Sequence, residues 1–362
     1  MKSFELHGYR PRPVCDMHVH PHVEAPLDES EAVFRSVMEY FRDERIVLEA
    51  LPCYDTINNF KALYFKSRIG GVYADLGLIH HYDERDTADY YLDQVKAFYA
   101  MGCDGIKMLD GKPDCRKQLG RPLNDPVFDP FYAFCEEKGL PIVLHYGDPR
   151  DFWDPERIPQ WALKRGWLYD SSFVSFEEGQ NEVLGILEKF PRLKLILAHF
   201  FFVSDDYDTA CRIMETWQNV CFDLTPGTEM YVNFNADAQK WRDFFVRYAD
   251  RILYGTDTYN WRQLDKPIEA GYSHAVNLVR SFLERTEPFT DKWTGREFTH
   301  PFGLDDATLD KIYTGNFVRM FGEKPRALNG ERICAEGEKF PKKYPLDDRQ
   351  AETLRQIIAH FK

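Results

Sequence analysis

The sequence predicts an α/β protein built as a (β/α)8 TIM barrel, with an extended loop after strand 5 and a helical C-terminal extension. Eight short β-type runs alternate with helical patterns along the chain. Polar residues able to do chemistry close several of these runs, where such a barrel gathers its active site. The 362 residues exceed the size of a typical barrel, which is about 250. The surplus falls in a Trp-rich stretch after the fifth run and in the tail after the eighth. The expected division is a barrel over 1–325 and an extension over 326–362 packing on it.

The runs follow in order. "VCDMHVH" is the first strand, and "DESEAVFRSVMEYF" begins an amphipathic helix after it. "RIVLEALP" and "VYADLGLIHH" are the second and third strands. "DTADYYLDQVKAFYAMG" is a helix with a good N-cap, closed by Gly102. "DGIKML" is the fourth strand. "DPFYAFCEEKGLP" is a short helix stopped by Gly139 and Pro141, and "PIVLHYG" is the fifth strand. After the Trp-rich stretch, Ser175 with Glu178 three positions on forms a capping box that opens a helix. "LKLILAH", "VCFDLT" and "RILYGTD" complete the set.

Composition bounds the function. With 44% hydrophobic and 15% aromatic residues the chain can build a large core. No apolar run is long enough to span a bilayer, and "MKSFELHGYRPRP" lacks the apolar centre of a signal peptide. The eight cysteines are scattered without a CxxC pair, as expected for reduced thiols in a cytoplasmic protein. A net charge of -13 argues against nucleic acid and anionic membranes as partners. A small-molecule substrate is the expected partner, and a homodimer is the base-rate expectation for the assembly.

Three of the 11 histidines fall within five positions at the first strand. Side chains at i and i+2 of a strand share a face, so His18 and His20 should point together, with Asp16, while Met17 and Val19 point outward. The fourth run carries Lys107, the fifth ends in His145, the sixth in His199 and the eighth in Asp257. A single histidine at a strand end is usually a hydrogen-bonded structural residue. This many at corresponding places make coincidence the weaker account. Imidazoles and a carboxylate suit Zn2+ first, with Mn2+ and Fe2+ as the other candidates. Three histidines and one aspartate leave room for a water, whose pKa a metal lowers towards about 7. Asp16 would hold a ligand imidazole in orientation.

At these residues the chain resembles the amidohydrolase superfamily, in the branch of aminocarboxymuconate-semialdehyde decarboxylase and the pyrone-dicarboxylate lactonases. The matching segments are "DMHVH", "GIKM", "VLHYGDP", "LILAH", "YGTD" and "GNFVRMFG", from Cys15 to about Gly322. The resemblance implies that His18, His20, His145 and Asp257 bind one divalent metal. It implies that His199 polarises the substrate or steadies a developing oxyanion, and that Asp257 also takes a proton from the attacking water. Two-metal members carboxylate a lysine at the place of Lys107. In the one-metal branch a lysine there meets an anionic substrate or is structural, and this is the reading preferred for Lys107.

The Trp-rich stretch reads as a lid or as an excursion packed on the barrel. As a lid, Trp153, Trp161 and Trp167 would face a planar substrate, and Arg150 and Arg157 would pair with a carboxylate. Glu229, after the seventh run, is a pocket residue or a helix cap, and His22, His80 and His81 line the pocket or lie in surface loops. The leading function is a metal-dependent hydrolase of a C–O or C–N bond in a small, carboxylated molecule. The alternative is a metal-dependent decarboxylase. A nuclease of the TatD type has glutamate where this chain has Lys107. A non-catalytic metal- or ligand-binding barrel is the remaining alternative.

Overall fold

A computed structural model describes residues 12–21, 26–227, 229–258, 273–291 and 294–362. Eight parallel strands lie in sequence order: β1 (Val14–Val19), β2 (Asp43–Glu49), β3 (Val72–Gly77), β4 (Gly105–Gly111), β5 (Ile142–Tyr146), β6 (Leu195–Leu197), β7 (Val220–Asp223) and β8 (Ile252–Leu253). The backbone of β1 meets the chain after β8 through Met17 N to Tyr254 O at 3.1 Å, Asp257 N to His18 O at 2.9 Å and His20 N to Thr258 O at 2.9 Å. These bonds close the sheet into a TIM barrel. Helices α1 (Leu27–Phe41), α2 (Asn58–Arg68), α3 (Ala88–Met101), α4 (Pro113–Leu119) and α5 (Asp129–Lys138) connect the first five strands. The caps read from sequence are in place: Thr87 accepts from Tyr90 N, α3 ends at Gly102, and Ser175 and Glu178 form a capping box.

Alternation along each strand builds two cores. Val14, Ile46, Leu48, Leu76, Met108, Leu144 and Phe222 face the helices. Cys15, Met17, Val47, Tyr73, Val143, Ile196, Cys221 and Leu253 fill the barrel interior. The late segment "GNFVRMFG" plugs the N-terminal end of the barrel. Phe317, Met320 and Phe321 join the interior cluster, and Tyr73 donates its hydroxyl to Gly322 O. Phe317 meets the Tyr73 ring edge-on at 5.0 Å, and truncating such a buried ring costs about 3–5 kcal/mol. With the far end plugged, the other mouth is the place for chemistry.

Met17 corrects the expectation for the first strand. Alternation from His18 places it outward, yet it lies in the interior. The reason is a register shift between Asp16 and Val19, where three steps along β1 match two along β2. Such a bulge re-aims the residues beyond it. Met17 fills the interior on one side of it, and His18 turns into the mouth on the other.

The stretch after β5 forms its own small cluster of Phe152, Ile158, Ala162 and Tyr169, with Trp153 and Trp167 packed against it. At the C-terminus, helices Gly330–Lys343 and Asp348–Phe361 lie against the α2–α3 side. Tyr344 meets the Tyr90 hydroxyl at 2.7 Å, and His360 meets Ser67 at 2.8 Å. No helix among the described residues is long and apolar enough to cross a membrane.

Candidate metal centre

The mouth is built from the last inward residue of each strand. His18 is fully buried. Its Nδ1 lies 2.8 Å from Asp223 Oδ2 and 3.0 Å from the Thr225 hydroxyl. An ionised carboxylate only accepts, so this partner places a proton on Nδ1 and leaves Nε2 with its lone pair. Nε2 faces Lys107 Nζ at 3.0 Å and Glu49 Oε2 at 3.1 Å. His20 repeats the arrangement. Its Nδ1 is 2.8 Å from the Glu49 carbonyl, which also only accepts, and its Nε2 lies 3.0 Å from Asp257 Oδ1. Asp257 Oδ1 is 3.8 Å from His18 Nε2.

Both imidazoles therefore present Nε2 to the same small space, with carboxylate oxygens of Glu49 and Asp257 opposite. Donor atoms of His18, His20 and Glu49 lie within 4.8 Å of one another. Glu49 Oε1 is buried without a hydrogen-bond partner. The Lys107 ammonium serves His18 Nε2 and Glu49 Oε2, but the orphaned Glu49 oxygen and the facing His20 Nε2 and Asp257 Oδ1 leave donor atoms that a divalent cation would stabilise. The residues present fit such an ion.

Protonation states agree. Burial, with Lys107 nearby, drives the His18 imidazole well below its ordinary value. Burial likewise lowers His145 and His199. Neutral imidazole is the form that binds metal. Burial pushes the Glu49 carboxyl up to about 8, against the pull of Lys107. Burial works to raise Asp257 too, but the contact with the His20 ring and the other imidazoles around it hold it well below the usual carboxylate range.

His145, expected among the ligands, stands apart from this convergence. Its Nε2 is 3.1 Å from the Gly147 carbonyl, and its Nδ1 is 3.1 Å from His199 Nε2. Asp16 does not orient an imidazole. Its carboxylate takes the backbone N–H of His18 and of Thr256 and the Thr256 hydroxyl, tying β1 to the end of β8. The carboxylate on the His18 ring is Asp223.

Lys107 is buried with its ammonium on Glu49 and His18, so it is not an open cation at the mouth. Arg150 is also engaged, pairing with Glu177 and Asp205 and covering the Phe176 ring. Arg157 pairs with Asp151 on the surface. Trp153 donates to Val174 O and packs on Tyr169 and Phe176, so its ring faces the excursion's own core. Glu229 stands at the start of helix Met230–Ala236 and folds back over Gly227. His80 pairs with Asp110 at 2.5 Å, His81 stacks on Tyr344, and His22 lies outside the described residues.

Three acids escaped sequence reasoning: Glu49, Asp75 and Asp223. Each points into the barrel from the end of an apolar stretch of its strand, and that position was the available signal. Asp75 has no hydrogen-bond partner for either oxygen, and burial raises its carboxyl far above the ordinary value. Gly105 makes room for it, since a Cβ there would meet Asp75 Oδ1 at 2.6 Å. Gly255 does the same for His18, whose Cβ would be 3.1 Å away.

His199 opens a left-handed turn. His199, Phe200, Phe201 and Phe202 have φ of 53°, 54°, 56° and 51°. Left-handed backbone costs roughly 1–2 kcal/mol per residue, so the run stores several kcal/mol. Three buried rings offset it, each worth about 1.5–3 kcal/mol. Phe200 packs on Phe222 and Phe245, Phe201 on Tyr146, and Phe202 stacks on His199 at 5.3 Å. The turn also aims His199 N–H at Asp223 Oδ1, 2.7 Å away. Asp223 thus holds the His18 ring and the His199 backbone together.

A family model described as Amidohydrolase matches residues 15–322. None of the curated proteins matches. Several solved structures share the fold. The 4-oxalomesaconate hydratase of Rhodopseudomonas palustris is 14% identical, with a TM-score of 0.53, over 91% of this chain and 99% of that one. A protein of Acinetobacter baumannii described as a probable 2-pyrone-4,6-dicarboxylic acid hydrolase is 13% identical, with a TM-score of 0.50, over 85% and 99%. The 2,6-dihydroxybenzoate decarboxylase from Rhizobium is 15% identical, with a TM-score of 0.50, over 86% and 99%.

Proposed function

The chain belongs to the amidohydrolase family, and from that premise we propose that it is a metal-dependent hydrolase cleaving a C–O or C–N bond of a small carboxylated substrate. The carrying observation is the pair of imidazoles whose Nδ1 atoms are fixed by Asp223 and the Glu49 carbonyl, so that His18 Nε2 meets Glu49 and His20 Nε2 meets Asp257. His18, His20 and Asp257 would hold one divalent ion, with Zn2+ the first candidate and Mn2+ or Fe2+ the others. His145 would have to give up its contact with His199 to join them. When bound, the metal supplies Lewis acidity and water activation at neutral pH.

The chain's own residues supply the rest. Asp257 stays ionised and so is able to receive a proton at Oδ1. His199 is neutral and held by a stiff turn, suited to steadying negative charge on a substrate oxygen. Lys107 keeps a structural role, since a carbamate there would set a second negative group against Glu49. The carboxylated substrate rests on the names of the fold neighbours, each of which carries a carboxylic acid.

A decarboxylase is the second reading, favoured by the dihydroxybenzoate enzyme among those neighbours. One barrel site supports either reaction by loop variation. The test is a screen of lactones, amides and unsaturated carboxylic acids in isotopically labelled water, following label uptake and CO2 together. Label in the product without CO2 supports hydrolysis. Stoichiometric CO2 rejects it in favour of the decarboxylase.

A further inference from the structure

Beside the metal centre, towards the ends of β2, β3 and β4, lies a small cavity lined by Cys53, His80, Lys107, Asp110 and Cys115. Its volume of about 20 Å3 has room for about one water. Cys53 stands in the turn after β2, and Cys115 stands in α4. Far apart in sequence, the two cysteines line this one cavity together. Exposure separates the two from most other cysteines. Cys53 is exposed and Cys115 half-buried, whereas Cys15, Cys103, Cys135, Cys221 and Cys334 are buried. Cys211 is half-buried and does not line this cavity.

We propose that Cys53 and Cys115 are a modification site: a hydroperoxide oxidises them to a disulfide that fastens the turn after β2 to α4 at the rim of the barrel mouth. Cys53 is the exposed sulfur and reacts first, because susceptibility follows access as well as thiolate character. Its thiolate attacks one peroxide oxygen, an S–O bond forms, the O–O bond breaks, and the departing oxygen leaves as water or alcohol after taking a proton. The Cys115 sulfur then attacks the Cys53 sulfur. The S–S bond forms, the S–O bond breaks, and the leaving hydroxide takes the Cys115 proton as water. The two sulfurs together lose two electrons and the peroxide gains them. The neighbouring Cys53 side chain and burial raise the Cys115 thiol far above its ordinary value, which fits Cys115 to resolve the intermediate rather than to start it.

The site needs no metal, so its test is independent of the proposed activity. The folded full-length protein is treated with hydrogen peroxide, remaining thiols are alkylated, and non-reducing digests are examined by mass spectrometry. The expected product is one linked peptide pair holding Cys53 and Cys115, lighter by two hydrogens and separated by dithiothreitol. Cys115→Ser should instead leave Cys53 as a sulfenic acid captured by dimedone, and Cys53→Ser should leave Cys115 alkylated. Recovery of both cysteines in alkylated form would overturn the proposal. So would over-oxidised Cys53 beside alkylated Cys115 in the unsubstituted protein, or a bridge that forms only in urea.

Discussion

Asp223→Asn changes one atom type at the point where the centre is held together. Asp223 Oδ1 takes the backbone N–H of His199 at 2.7 Å and of Thr225 at 3.1 Å, while Oδ2 faces His18 Nδ1 at 2.8 Å. Asparagine keeps an acceptor for the two backbone groups, so the strained turn should survive. It sets an NH2 against Nδ1, however, where a donor already stands. If the ring moves its proton to Nε2 instead, that hydrogen points at Lys107 Nζ, 3.0 Å away, and Nε2 is lost as a ligand. Partners of ligating imidazoles are worth 10–100-fold in metal affinity or activity, or about 1.4–2.8 kcal/mol. The assay is competition for metal against a chromophoric chelator, paired with a thermal melt of the metal-free protein. The variant should bind 10–100-fold more weakly with a melt close to the parent. Thr225→Ala removes only the hydroxyl beside Nδ1 and should cost less. Unchanged metal affinity in Asp223→Asn would refute the assignment of the His18 tautomer. An equally large fall in metal-free stability would reduce Asp223 to a structural role.

Four other variants bear on the same centre. His18→Ala with His20→Ala should abolish metal content by elemental analysis together with turnover. Asp257→Asn should cut kcat by about 10²–10⁴ while losing far less metal, and near-normal turnover of the metal-loaded variant would remove its proton-accepting role. His199→Asn should retain the metal and lower kcat, whereas stoichiometric loss of metal would make His199 a ligand. Lys107→Met should destabilise the fold by up to about 3–5 kcal/mol, the cost of stripping one partner from a buried ion pair. The cost falls below that limit because Glu49 is able to take a proton in response, as a urea titration will show.

Strand ends carrying histidine were legible because His18, His20, His145 and His199 are rare residues closing apolar runs. Helix boundaries were legible where a side chain does local work, as at Thr87 and Ser175. The inward acids were not. Glu49 in "VLEALP" and Asp223 in "VCFDLT" look like ordinary polar punctuation until the barrel closes and sets them across from His18. Lys107 was legible as a special position, but its partner lies on a strand far away in sequence. The aromatic excursion reads two ways in the sequence, as a lid or as a packed excursion, for a similar reason. Its tryptophans satisfy each other and the neighbouring Phe152 and Tyr169, and only contacts show that.

The departures from regular structure share one location and one consequence. A continuous β1 that put Met17 in the interior would turn His18 towards the helices, so the bulge before Val19 is what admits the first imidazole. A β6 extended through "AHFFF" would alternate His199 away from the mouth, since Ile196 and Ala198 already face inward. The left-handed turn breaks that alternation and brings His199 onto Asp223 and His145. Asp257 is likewise left-handed, with φ of 55°, and its N–H bonds to His18 O. Each irregularity moves one polar group from where alternation would leave it to the mouth of the barrel. A non-glycine residue in this conformation persists only when its surroundings over-determine it. The phenylalanines stacked around His199 and the hydrogen bonds across the β1–β8 seam provide that constraint. They spend stability on the placement of donor atoms, which a purely structural barrel would have no reason to do.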